Sequence, residues 1–450
     1  MSFVPTTLEV FDTLSEGCFA NLKSGEELTL NLAAEDQLYL RLNNVRVRQS
    51  TDVFQRRVTL KFQAQGRRVA YTFDLSGHIG ADLALAQTLI ARARRETSVL
   101  PEDPYLTPVL DHGCSEEHHS GDLCPAETVV DQIAHHAVGM EFTGLYAAGP
   151  QVRASRNSAG MRHVFSAQSF FLDHSVYTVN AAGENKAVKG LYAGAVWRED
   201  DLASALETAR QRLDRLRQDS RAIEPGEYRA YLAPAAVDAL IGMFSWGGVS
   251  YSAWKKGESA LARWIDGEAT FSPLFSLEED FTLGLAPRFN SSGETAPARL
   301  PVVASGQLGH LLTSARTARE YGVESNGAES GEGLRSPHMA SGALAERDIL
   351  AALDTGLYVA NLHYLNWSDL HSARLTGMTR YACFWVEGGK LVAPIRDLRF
   401  DESLYRILGS ELEAVTANSA LLMDTDTYGQ RSVGGSKVPG ILVKKFRFTL

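Results

Sequence analysis

The chain reads as an α+β protein, with an antiparallel meander and helices in its first half and a strand-rich second half. Three observations predict this. Between Leu28 and Phe73 apolar residues recur at every second position, the period of a half-buried strand. Between 200 and 218 they fall at Leu202, Leu206, Ala209, Leu213 and Leu216, one face of an amphipathic helix. Beyond Ile223-Glu-Pro-Gly226 the helical patterns thin out and glycine becomes frequent. A chain of 450 residues is too long for one ordinary core. The break therefore predicts an N-terminal α+β domain over 1–222 and a C-terminal β-rich domain over 223–450.

The opening residues form a helix to about Leu22. Alternation follows in Leu28/Leu30/Leu32, Leu38/Leu40/Leu42, Val45/Val47, Val58/Leu60/Phe62 and Val69/Tyr71/Phe73. Turn formers separate these runs, among them Asn43-Asn44 and Gln65-Gly66-Arg67. A helix starts at Asp82, buries Leu83, Leu85, Leu89, Ile90 and Ala93, and fades near Thr97. The proline-rich stretch 100–125 has the composition of a loop. A short helix over 127–137 leads into strands at 142–152, 163–173, 175–180 and 187–197, then into the helix at 200–218. In the second half a short strand ends at Pro234 and an apolar segment covers 235–248. The Ser-, Gly- and Glu-rich stretch 324–342 predicts a mobile loop, and 344–354 one more helix.

Composition narrows the function. Acidic residues outnumber basic ones, 54 to 44, for a net charge of −10, which argues against nucleic acid as a partner. The arginine runs 92–95 and 210–217 sit in helical patterns with interspersed acids and read as solvated faces. No run approaches the ~20 apolar residues that span a bilayer. The first residues lack a basic region and an unbroken apolar core, so no secretory signal is expected. Cys18, Cys114, Cys124 and Cys383 are few and scattered, as suits reduced thiols in a cytoplasm.

Motifs for chemistry are scarce. Two histidines four apart on a helix, with a glutamate after the first, mark a hydrolytic zinc. None of the twelve histidines stands four residues from another, and none precedes a glutamate. His112, Cys114, His118, His119 and Cys124 are suitable ligand types, but their spacing matches no tetrahedral pattern and a polar loop explains them. Gly248-Val-Ser250-Tyr-Ser252 lacks the closing glycine of a nucleophile elbow. Ser252-Ala-Trp-Lys255 matches Ser-x-x-Lys, a pattern frequent by chance that leaves a serine-type hydrolase open. Cys383 lies in an apolar strand and reads as a buried, inert thiol. Gly77-His-Ile-Gly80 reads as a helix start.

Several segments, in order, resemble the TldD/PmbA family. They are Ser155-Arg-Asn157-Ser158-Ala-Gly160, Lys256-Gly257-Glu-Ser259 with Asp266-Gly267 and Ser272-Pro273, Phe289 to Gly293, Ser305-Gly306, and Thr317 to Gly322. The tail adds Gly356-Leu-Tyr358, Leu375-Thr376-Gly377, Val386-Glu387-Gly-Gly389 and Leu398-Arg399-Phe400. The likeness covers most of 140–450. In this family one subunit holds zinc on a His-Glu-x-x-x-His helix plus a later cysteine, and its partner shares the fold without those ligands. The present chain has no histidine in 235–248, where that helix falls, and no cysteine from Asp424 onward. The resemblance therefore implies the zinc-free, TldE-like subunit of a heterodimeric, cytoplasmic protease acting on unfolded or extended peptides. It implies no catalytic, metal or cofactor-binding residue in this chain, with zinc in a TldD-like partner. An interaction protein that binds a peptide or protein without cleavage is the competing expectation, and membrane or nucleic-acid partners are not expected.

Overall fold

The computed structural model describes residues 3–449. Seven strands form the first sheet: β1 (Glu26–Asn43), β2 (Arg46–Ala64), β3 (Arg67–Asp74), β4 (Cys114–His119), β5 (Glu141–Asn157), β6 (Arg162–Val179) and β7 (Asn185–Gly194). Their order is β3-β2-β1-β5-β6-β4, with β7 also on β6. All pairs are antiparallel except β4 with β6. Helices α1 (Phe3–Phe19), α2 (Ile79–Thr97), α3 (Ala126–His136) and α4 (Glu199–Leu216) accompany them.

The strands are longer than the separate runs of alternation predict. β1 and β2 are single strands of 18 and 19 residues, each spanning ~60 Å. They join through Asn44 and Val45, both at positive φ, the backbone twist a two-residue hairpin requires. The alternation lapses at Glu35-Asp36-Gln37 without ending the strand. Opposite that point, a Cβ on Gly149 of β5 would lie 2.0 Å from the Asp36 carbonyl oxygen, so only glycine allows the two strands to close there.

One face of the sheet is apolar. Leu28, Leu30 and Leu32 of β1 with Val58, Leu60 and Phe62 of β2 pack against Phe11 and Leu14 of α1 and Ala86 and Ile90 of α2. Further along the same face, Leu40, Leu42, Phe142, Tyr146, Phe170 and Leu172 meet α3 and α4. All five expected positions of α4 are buried. The α2 stripe differs from expectation: Leu85 faces water, while Asp82, Ala86, Ile90, Ala93 and Thr97 are buried. Buried Asp82 accepts hydrogen bonds from the Ser76 amide (2.9 Å) and hydroxyl (2.7 Å), which fixes the helix start.

Thirteen strands form the second sheet. The first six are β8 (Gly226–Leu232), β9 (Leu277–Asp280), β10 (Arg299–Ala304), β11 (Gln307–Leu308), β12 (Pro337–Met339) and β13 (Gly356–Val359). Then come β14 (Asn361–Asp369), β15 (Arg374–Arg380), β16 (Phe384–Glu387), β17 (Lys390–Pro394), β18 (Arg399–Ser403), β19 (Leu412–Met423) and β20 (Gly435–Phe448). Their order is β11-β10-β9-β12-β20-β8-β13-β16-β17, with β18 and β19 also on β20 and β14-β15 joined through β18. α5 (Pro234–Gly242) starts with proline in its first turn and packs on β20 and β14. A single apolar cluster runs from α3 and α4 into this sheet.

Two expected loops are built structure. Residues 114–119, within the expected 100–125 loop, form β4. The stretch 324–342 is packed rather than mobile, because buried Glu332 accepts bonds from the Ser252 amide (2.9 Å), the Ser314 amide (2.8 Å) and the Ser250 hydroxyl. Its end supplies β12.

Candidate functional site

The second face of the first sheet is polar and covered. Cross-strand register places Asn31, Glu35 and Gln37 of β1 on one side with Thr59 and Lys61 of β2, Gln151 and Arg153 of β5, and His163 and Ser169 of β6. Two segments of the second half dock there. The first is the turn around Ser291, whose carbonyl accepts from Lys61 Nζ (2.7 Å) and Asn31 Nδ2 (3.1 Å). Beside it the Phe289 ring stacks on His163, with centroids 5.4 Å apart. Gly293, at φ +90°, lies so close to Met161 that a Cβ would sit 1.8 Å from Sδ. Burial lowers the Lys61 ammonium and the His163 imidazole below their ordinary pKa values.

The second docked segment is the loop between β19 and β20, which inserts Arg431. Its fully buried guanidinium donates to Gln37 Oε1 (2.9 Å), the Ser169 carbonyl (2.8 Å) and Ser169 Oγ (3.0 Å), and lies 5.1 Å over the Phe171 ring. The Arg431 amide donates to Glu35 Oε2 (2.8 Å), and Gln151 Nε2 donates to the Arg431 carbonyl (2.7 Å). Burial lowers this guanidinium to about 10.

Between the two docked segments lies a cavity of about 790 Å³. Its first wall is the polar face of the sheet, with Asn31, Arg57, Thr59 and Arg153. Its second is α5 and the residues after it, with Asp238, Ile241, Gly242 and Ser245, together with 422–425 and 433–436. The segment 235–248 and the stretch from Asp424, which the family resemblance assigns to zinc ligation in relatives, thus meet in one cavity. Asp238 was not singled out in the sequence, although it is a carboxylate four residues before Gly242 in that segment. It is partly buried and accepts from Ser436 Oγ. Burial raises its carboxyl above the usual range, the Ser436 bond opposes this, and the charge of Asp424 adds to the rise.

This donor set does not fit structural or hydrolytic zinc. No histidine or cysteine lines the cavity, whereas such zinc takes imidazole or thiolate with at most one or two carboxylates. Among the described residues one trio of ligand types has its atoms mutually within 4.8 Å: Glu278 and Asp280 of β9 with His338 of β12. Arg299 already stands 3.4 Å from Asp280 and 3.9 Å from Glu278, so the trio reads as a cross-strand ion-pair row.

The other sequence candidates are dispersed. Strand alternation sends His118 and His119 to opposite faces of β4: His118 Nδ1 meets Ser166 Oγ at 2.8 Å, while His119 packs on Phe165. Cys114 is exposed and Cys124 half-buried, so the 112–124 group forms no cluster. Lys255 places its ammonium 3.8 Å from the centroid of the Trp254 ring, and among the described residues no hydrogen bond links it to Ser252. Cys383 is buried just before β16, and burial raises its thiol to about 11.

The PmbA/TldA metallopeptidase C-terminal domain model matches residues 225–450. No curated protein matches the chain in sequence. Solved structures share the fold, among them the following three. TldE from Thermococcus kodakarensis superposes with TM-score 0.79 at 14% identity, covering 98% of this chain and 100% of its own. A proposed modulator of a DNA gyrase from Thermotoga maritima gives 0.78 at 16%, covering 98% and 100%. Another from Bacteroides thetaiotaomicron gives 0.78 at 14%, covering 98% of both chains.

Proposed function

We propose that this chain, which belongs to the TldD/PmbA family, serves as the zinc-free subunit of a two-subunit metallopeptidase. A TldD-like partner would supply the metal and the general base that activate water. This subunit would form part of the wall of the chamber and admit unfolded or extended peptides, in the cytoplasm.

The observation that carries the reading is the composition of one cavity wall. Where the metal-bearing subunits place two histidines and a glutamate, α5 and its extension offer Asp238, Ile241, Gly242 and Ser245. None of these supplies an imidazole, and Asp238 is the one carboxylate among them. A cavity at this position suits a chain that shapes a peptide path without cutting.

Co-expression with the TldD-like protein of the same genome tests the reading. A stable complex that cleaves an unstructured peptide, is stopped by chelator and is inactive without either chain is expected. Equal cleavage with and without this chain, and no complex, would overturn it. A complex with an uncleaved protein and no peptidase activity would favour the interaction-protein reading instead. Peptidase activity of the isolated chain that resists chelator and is lost in Ser252→Ala would favour a serine-type hydrolase.

A further inference from the structure

The first sheet leaves part of one strand edge open. β3 covers β2 from Arg57 to Ala64 only, while β1 accompanies β2 from Arg46 onward. Residues 46–55 of β2 therefore have a strand on one side and, among the described residues, no backbone partner on the other. One bond fixes the direction of the free groups. The Arg56 carbonyl accepts from the Leu75 amide at 2.8 Å, so the main chain of Arg56 points away from β1. Hydrogen-bonding direction alternates along a strand, which turns the amides and carbonyls of Phe54, Asp52 and Ser50 outward as well. An unpaired edge of this kind is a template for another strand.

Beside that edge an open groove of about 1000 Å³ runs over the polar face of the sheet, bordered by Tyr381 and Thr427 of the second half. Gln49 and Thr51 of β2 line it, and Arg41 of β1 stands next to them. Arg48 lines it too, although it is the neighbour of Gln49. The strand pairing shifts there: Arg41 faces Gln49 and Leu42 faces Val47, which leaves Arg48 as the extra residue of a bulge. A bulge re-aims the side chain that it carries. Further in, Lys189 is paired with Asp173. Arg41 and Arg48 are exposed and have no carboxylate partner among the described residues. Arg46 stands with Arg48 in the adjoining hollow at the hairpin tip. Asp52, the one acid of the free edge, alternates to the opposite face. A chain of net charge −10 thus gathers uncompensated positive charge along its open edge. That charge argues against a second copy as occupant, because its own edge would set arginine beside arginine.

We propose that the free edge of β2 takes up an extended acidic peptide as an added strand, with the peptide's carboxylates on Arg41 and Arg48 in the groove. Taking the occupant to be a peptide rests on the reading under Proposed function; the open edge and its charge do not. Ser50, Asp52 and Phe54 offer main-chain bonds to about five or six residues of any sequence. Side chains of an added strand alternate between the faces of the sheet, so every second one falls on the groove side. Acids at alternate positions therefore fit this edge best.

Calorimetric titration of the isolated, full-length chain with acetyl-Glu-Val-Glu-Val-Glu-Val-amide tests this. The same peptide with lysine for glutamate should bind about tenfold more weakly or worse. So should the form N-methylated at every residue, which keeps the charge and loses each backbone donor. Asp52→Pro removes an outward amide while leaving the bonds to β1 in place. It also removes an acid, so charge alone would strengthen binding; a loss of about tenfold is expected instead. Arg41→Ser combined with Arg48→Ser should weaken binding by about tenfold and flatten its salt dependence. Unchanged melting temperatures verify that the variants are folded, and the peptide controls need no variant. Equal affinity for the acidic and basic peptides, or for the N-methylated one, overturns the proposal, as does no heat at millimolar peptide. A homodimer that Asp52→Pro dissociates overturns it in favour of a second copy on the edge. Because one chain alone is titrated, its failure is separable from failure to assemble with a partner.

Discussion

The two faces of the first sheet are both buried, yet they are built on opposite principles. Under α1 to α4 the strands present leucine, valine and phenylalanine, and complementarity is a matter of volume. Toward the second half of the chain they present Asn31, Glu35, Gln37, Lys61, Gln151 and Arg153, and complementarity is a matter of pairing each donor. Apolar burial tolerates many partners. A buried polar face tolerates one, because each unmet group costs about 1–3 kcal/mol. The helix-covered face therefore sets stability, and the polar face sets how the second half is placed and where the cavity lies.

Four perturbations break or sharpen that comparison. The largest effect is expected on the apolar face: Phe62→Ala should cost about 3–5 kcal/mol in denaturant unfolding, since the ring is fully buried. Arg431→Ala should follow at about 3 kcal/mol, because Gln37 and Ser169 lose their donors in a site closed to water. It should also raise protease sensitivity at the 424–434 loop, which Phe62→Ala should not do before global unfolding.

Acid supplies the third test. His174 stacks on Phe142 on the apolar face, and burial lowers its imidazole to about 4. The unfolded chain takes up the proton first, so stability should fall as pH drops from about 6.5 toward 4, by about 3 kcal/mol in all. His174→Phe should flatten that part of the profile. His163, on the polar face, is lowered for the same reason and adds in the same direction. The smallest effect is expected for Lys61→Met, about 1 kcal/mol, because one hydrogen bond is lost while the aliphatic stem still packs. A Lys61→Met cost equal to that of Phe62→Ala would show that the contrast between faces has been drawn wrongly.

The same contrast explains what the sequence revealed. Volume-driven packing leaves a periodic trace, so α4 was legible to the residue and the meander to its turns. Pairing-driven packing leaves none. Glu35-Asp36-Gln37 looked like an interruption of the alternation because Arg431, the partner of Glu35 and Gln37, stands nearly 400 positions away. The same holds for 324–342, whose polar composition suggested a loop, although Glu332 there fastens three serines. In α2 the pattern favoured leucines over Ala86, since nothing local marks where a neighbouring helix closes in. At the candidate site, the resemblance pointed to the segment 235–248 and to what it lacks. Asp238 was passed over because a lone carboxylate on an apolar helix gains meaning only when Ser436 is brought to it across the cavity wall.

The bolt formed by Arg431 also has a consequence for biosynthesis. Glu35 leaves the ribosome 396 residues before the amide that it receives. At about 5–20 residues per second, roughly 20–80 s pass before the two can meet. Throughout that interval the emerging domain holds a charged, half-finished surface that only the very end of translation can close.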